Sequence, residues 1–340
     1  MIHVLLLLGC AVVVYLACEW FVNAVEWLGA RLRVGPVAVG TVLAAVGTAL
    51  PESVVTLVAV AFGEGDDRKD IGVGAAMGGP LALSTIAYAV AGVMLLLVAR
   101  ATARSAGVSV AAARSELVRD VDVSRLARDQ VWFLAIFVFK FALGLVAFAY
   151  KPWLGLAFFA AYIAFFVKEL REEGVAESDD LEPLKLQPKA DRPSTFAVVG
   201  QTLVTLVVIC LASQLFVLQL EWVGPQLGIA PTVVALLLSP VATELPEIMN
   251  AIIWIRQRKV SLALANISGA MMIQATVPSG IGIIFTSWKF DGPLMLSGAV
   301  TMVAILYLVL ALRSNRLHPW ALVGVGSLYA AFVAGLALGV

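Results

Sequence analysis

Ten apolar runs, most of them long enough to cross a bilayer as a helix, follow one another along this 340-residue chain. They lie at roughly 3–30, 36–62, 71–99, 131–149, 153–169, 195–222, 231–255, 261–286, 293–312 and 319–338. A hydrocarbon core of about 30 Å requires about 20 apolar residues in a helix. The runs are continuously apolar rather than alternating, which excludes a membrane β-barrel. The chain is therefore read as an all-α polytopic membrane protein. Composition agrees: 61% of residues are hydrophobic, 14% are charged and the mean hydropathy is +0.97.

The lipid bilayer is thus the first partner, and neither nucleic acid nor a cofactor is expected. Cys10, Cys18 and Cys210 lie in apolar runs without paired or zinc-type spacing and read as buried free thiols. The "LLGC" string at 7–10 resembles a lipoprotein cleavage site. The run before it is short and carries no Lys or Arg, so a retained first helix is expected.

Two longer linkers, 100–130 and 170–194, are too small to be folded domains. Lys and Arg are distributed unevenly: alternate loops hold 18 of the 23, the opposite loops hold 4, and Lys140 sits inside a run. By the positive-inside rule the richer loops face the cytoplasm, with both termini outside and an even number of spans. The expected location is the cytoplasmic (inner, plasma) membrane.

Shifted by 195 residues, the chain aligns with itself. Positions 19–52 lie over 214–247 without a gap, with 14 identities in 34. These include Glu26-Trp27-x-Gly29 and Thr48-x-Leu50-Pro51-Glu52, matched in the second copy at Glu221 and at Thr243 to Glu247. The chain is therefore a duplication of 1–170 and 195–340, joined by a cytoplasmic linker at 171–194. Five spans per half is an odd number, so the second half enters the membrane from the opposite side. That arrangement is an inverted repeat, common among secondary transporters.

Glu52 and Glu247 stand about sixteen residues into their runs. At about 1.5 Å per residue they are beyond snorkelling reach, and a carboxylate at that depth is read as functional. Each follows a proline. Pro51 denies a donor to the Gly47 carbonyl, and Pro246 does the same for Ala242. Thr48 and Thr243 add hydroxyls in the same turns. Carboxylates, hydroxyls and freed carbonyls are hard oxygen donors and suit calcium or sodium. Two such clusters facing each other would form one midplane site. In the following spans Asn266 and Gln274 are further candidate ligands, with Ser84 and Thr85 weaker ones. Gly78, Gly79 and Pro80 read equally as a helix break or as a packing surface.

The paired "VGTALPE" and "VATELPE" strings, each followed by a Gly-containing polar span, resemble the alpha repeats of the sodium/calcium exchanger family within the cation/calcium exchanger superfamily. The resemblance implies ten transmembrane helices in two inverted five-helix repeats, antiport by alternating access, and Glu52 and Glu247 as the principal calcium ligands. Where the family carries Thr-Ser, this chain has Thr48-Ala49 and Thr243-Glu244. Most amides of the Gly-Asn-x-x-Gly-Ser-Asn pattern are replaced, so sodium and protons both stay open as counter-ion. The linker is too short for regulatory calcium-binding domains.

Four acidic residues have more than one reading. Glu244 is a third ligand or proton carrier, or the partner of Lys140. Glu19 lines the cavity or faces a neighbouring helix. Glu26 and Glu221, beside tryptophans near run ends, are read mainly as interfacial anchors. The sequence has no phosphate-binding Gly-x-x-x-x-Gly-Lys-Ser/Thr loop and no His-Glu-x-x-His, which argues against ATP-driven transport and intramembrane hydrolysis. A cation channel and a non-transporting scaffold of the same fold remain the alternatives. Oligomeric state leaves no mark on the sequence.

Overall fold

In lipid each backbone N–H and C=O must find its partner within the protein, and a helix supplies those partners locally. The computed structural model describes residues 2–35, 38–57, 60–61, 66–148, 150–171, 181–226, 240, 243–313 and 317–338; among them no strand occurs. The first half comprises α1 (Ile2–Leu32), a π-helical stretch (Val39–Ala44), α2 (Ala45–Leu57) and α3 (Asp66–Ala82). It continues through a second π stretch (Leu83–Ala87), α4 (Tyr88–Ala106), α5 (Val110–Leu117), α6 (Val123–Leu145), a short 3-10 turn (Lys151–Leu154) and α7 (Gly155–Arg171). The second half holds α8 (Thr195–Gln226), α9 (Leu245–Arg256), α10 (Val260–Phe285), α11 (Gly292–Leu312) and α12 (Pro319–Ala337).

Among the described residues, seven helical segments are long and apolar enough to span a membrane: Ile2–Leu32, Ala76–Ala106, Lys151–Arg171, Thr195–Phe216, Val260–Phe285, Gly292–Leu312 and Pro319–Ala337. Each falls on an apolar run of the sequence. The remaining three runs are described in part. Run 36–62 is divided between the first π stretch and α2. Run 131–149 is entered by α6, whose first turns carry Arg125, Arg128 and Asp129. Of run 231–255, the described part is Pro240 and the stretch from Thr243 onward, with α9 from Leu245.

α10 is the axis of the bundle. Its apolar window is 89% buried, against 17% for α12 at the periphery. Packed around α10 are α2, α3, α6, α7, α9 and the first π stretch. Leu5, Val12, Leu211, Leu310 and Trp320 are exposed on outer helices, a surface suited to lipid chains.

α1 and α8 run antiparallel along their length. Arg31 donates to Thr195 Oγ1 at 3.2 Å, Gln201 Nε2 donates to the Trp20 carbonyl at 2.9 Å, and His3 Nδ1 meets Gln219 Oε1 at 2.8 Å. The described part of the linker is strapped over this pair. Trp27 Nε1 donates to the Glu182 carbonyl at 2.9 Å, the Lys185 amide donates to Asn23 Oδ1 at 3.0 Å, and Leu184 is fully buried.

Glu19 turns to this strap, 3.4 Å from Lys185 Nζ and 37% exposed, so it does not line a cavity. Glu26 is also not an interfacial anchor. It is 8% exposed, accepts from Trp254 Nε1 at 2.8 Å and pairs with Lys259, tying α1 to the far end of α9. The side chain of Glu221 lies outside the described residues.

Candidate cation site

The two Pro-Glu strings adopt different local structures. In the first half the helix passes through Pro51 without interruption, after a π stretch that ends at Ala44. In the second, Glu244 stands at the N-cap position of α9, and Pro246 and Glu247 occupy its first turn. A proline is tolerated in a first turn, where its missing N–H has no intrahelical partner. The same position places the Glu247 carboxylate near the positive end of the helix dipole. Glu247 is 1% exposed and Glu244 0%.

Thr48 Oγ1 donates to the Ala44 carbonyl at 3.1 Å and Thr243 Oγ1 donates to the Pro240 carbonyl at 3.0 Å. Back-bonding of this kind occupies the hydroxyl proton and leaves oxygen lone pairs available. Ser84 and Thr85 likewise bond back, both to the Leu81 carbonyl.

α10 brings the amides. Gln274 Nε2 donates to Glu244 Oε1 at 2.9 Å, and Asn266 Nδ2 donates to the Glu247 carbonyl at 3.3 Å. Asn266 Oδ1 has no hydrogen-bond partner among the described residues, and neither amide atom of the fully buried Asn250 has one. Asn250 lies three residues beyond Glu247 and therefore shares its helix face. Sequence reasoning missed this residue, although the string "PEIMN" sets the amide one turn beyond the carboxylate.

Glycines let the two halves cross. A Cβ on Gly78 would stand 2.6 Å from Pro240 Cγ, and one on Gly79 would stand 2.7 Å from Glu244 Oε1. In the reverse sense a Cβ on Gly40 would stand 2.8 Å from the Leu262 carbonyl oxygen, and Gly269 lies against the Thr41 backbone. The span following each Pro-Glu string therefore packs on the motif segment of the other half. Gly78 and Gly79 act as packing surface, and α3 continues through Pro80 to Ala82.

α1 touches both strings within one turn: Phe21 packs at Gly47, and Cys18 Sγ donates to the Pro246 carbonyl at 3.8 Å. α1 thus contacts Gly47 of the first string and Pro246 of the second, while Asn266 and Gln274 of α10 meet Glu247 and Glu244. Ala242 and the Glu52 side chain lie outside the described residues, although the backbone of Glu52 is helical. Lys140 is not the partner of Glu244: its Nζ donates to the Ala76 carbonyl at 2.7 Å, while Gln274 serves Glu244. Among the described residues no three His, Cys, Asp or Glu side chains converge as a metal cluster. The donor set is carboxylate supplemented by amide, hydroxyl and carbonyl oxygen, which suits a hard cation.

Fold and site together define a multi-pass integral membrane protein of the transporter class. The chain belongs to the sodium/calcium exchanger family, whose model, sodium/calcium exchanger protein, matches residues 2–168 and 197–338. It is 25% identical over 328 residues to inner membrane protein YrbG of Escherichia coli (strain K12), covering 95% of this chain and 92% of that protein. It is 24% identical over 323 residues to the candidate antiporter CaxA of Alkalimonas amylolytica, covering 93% and 91%. The solved structure of the sodium-calcium exchanger NCX_Mj soaked with 2.5 mM Na+ and 0.1 mM Ca2+ superposes with a TM-score of 0.74 at 18% identity, over 99% of both chains. At that identity the match shows a shared fold.

Proposed function

We propose that the protein is a secondary-active antiporter that exchanges calcium for sodium or protons by alternating access at one midplane site. Glu52 and Glu247 are the principal ligands. Thr48, Thr243, Glu244, Asn266, Gln274 and the carbonyls of Gly47 and Ala242 complete the shell. The architecture proposed is ten spans in two inverted repeats, 1–170 and 195–340, joined at 171–194, with both termini outside the cytoplasmic membrane. The antiparallel course of α1 and α8, which share duplicated sequence, supports the inversion.

The observation that carries the reading is the reciprocal crossing of the halves, Gly79 against Glu244 and Gly269 against Thr41. It supports a site shared between the halves, with buried Glu244 and Gln274 on one side of the crossing. Two carboxylates in a dry cavity repel, and a divalent ion cancels both charges. Once that ion leaves, the emptied cavity cannot cross the barrier cheaply, so monovalent cations or protons must enter first. Exchange is then obligatory.

Reconstituted liposomes loaded with calcium test this. Flux that needs an opposing sodium or proton gradient supports antiport, and comparing the two gradients assigns the counter-ion. Conduction without a counter-gradient would establish a channel, and no flux a scaffold. Full-rate exchange by Glu52→Gln or Glu247→Gln would overturn the site assignment.

A further inference from the structure

Lys140 lies well inside the apolar run 131–149, and it is fully buried. The packing around it shows what holds it there. Pro80 lies within α3 and has no N–H, so the carbonyl four residues earlier, that of Ala76, receives no donor from its own helix. Lys140 Nζ donates to that oxygen at 2.7 Å and stands 4.6 Å from the centroid of the Phe137 ring. A freed carbonyl and an aromatic face are what a bare monovalent cation would be offered at this place. The backbone behind the ammonium is anchored as well, because Trp288 Nε1 donates to the Lys140 carbonyl at 3.2 Å.

Three residues beyond Ala76 on α3, Gly79 makes room for Glu244 Oε1. A positive group from α6 and a negative group from the start of α9 are therefore held on one turn of one helix. Among the described residues Lys140 makes no ion pair.

We propose that the Lys140 ammonium is a tethered counter-ion of the cation pocket. It stands where a mobile monovalent cation would otherwise bind, and it lowers by one the number of monovalent charges exchanged for each divalent ion. This rests on the antiport reading. The mid-membrane acids are Glu52, Glu244 and Glu247, three negative charges against the one positive charge of Lys140. A divalent ion brings the pocket to neutrality, and its departure leaves a charge that two monovalent cations or protons cancel. Wild-type exchange is then electroneutral. Without the lysine, the emptied pocket takes a third monovalent cation and exchange moves one net charge per cycle.

The experiment measures calcium exchange in proteoliposomes whose membrane potential is clamped with potassium and valinomycin. Wild type and Lys140→Arg should run at the same rate at every clamp value. Lys140→Gln and Lys140→Met should become potential-dependent, since one charge moved across 100 mV shifts an equilibrium by up to about 50-fold. Potential-dependent wild-type exchange, or insensitivity in both neutral variants, would overturn the proposal. A second readout needs no transport: thermal unfolding of the purified protein with sodium, lithium or potassium chloride. The neutral variants should gain a stabilisation by at least one of these ions that wild type lacks. If wild type exchanges nothing, the antiport reading fails, and this readout still decides the role of Lys140. Absence of the gain overturns it.

Discussion

The two copies of the Thr-x-Leu-Pro-Glu string have nearly the same sequence and different backbones. The first lies in the middle of α2, entered from a π-helical stretch, and the second begins α9. In the first copy the proline interrupts the hydrogen bonding of a helix that continues past it, so the cost of the missing donor falls on Gly47. In the second it sits in the first turn of α9, a position that tolerates proline. One string therefore exposes a mid-helix carbonyl, and the other presents a carboxylate at a helix N-terminus. Under the proposed function the same residues would supply oxygen ligands by two physical routes, so a duplicated site need not be symmetrical in its chemistry.

This contrast is most sharply tested at the prolines. Pro51→Ala restores a helical donor to Gly47 and should stabilise the protein by up to about 3 kcal/mol, the scale of an interior proline. It should also weaken calcium binding, because that carbonyl is withdrawn. Pro246→Ala should change either quantity by less than about 1 kcal/mol, in line with the tolerance of first-turn positions for proline. Melting temperature and calcium titration of the two variants check this, and equal effects would break the contrast.

Next in size is the amide that only the second half possesses. Gln274→Leu removes the donor to Glu244, worth about 1.5–3 kcal/mol for a bond to a charged group. Calcium binding should fall accordingly, by about tenfold or more, as read by isothermal titration.

The crossing glycines come third. Alanine at Gly269 meets the backbone of Thr41, whereas alanine at Gly79 meets the movable end of Glu244. Overpacking costs about 1–3 kcal/mol. Gly269→Ala should lie at the upper end in thermal unfolding, and Gly79→Ala should lose more calcium affinity than stability.

The smallest effect belongs to the strap. Glu19 and Lys185 are 37% and 29% exposed, and Glu19→Gln should cost less than about 1 kcal/mol in unfolding, as solvent-screened ion pairs do.

Seven of the ten apolar runs form long apolar helices because hydropathy alone decides that outcome. The other three are the two Pro-Glu runs, of which only part is described, and the run holding Lys140. In those runs polar and helix-disrupting residues already mark the sequence. Glu247, Glu244, Asn266 and Gln274 were legible as site candidates because burying a polar side chain at membrane depth is too costly for packing alone to sustain. Partners were not legible. Glu26 reaches Trp254 and Lys259 more than two hundred residues away, and Lys140 finds a carbonyl that only Pro80, on another helix, sets free. Periodicity carries no information about such contacts.

The central claim is that both strings serve one cation. Equilibrium binding of radioactive calcium to purified wild type, Glu52→Gln, Glu247→Gln and the double variant tests it most directly. If the carboxylates share the ion, each single change should weaken binding by at least about tenfold, and the double change should add far less than the sum of the two. Wild-type affinity in either single variant, or two losses that simply add, would contradict the account.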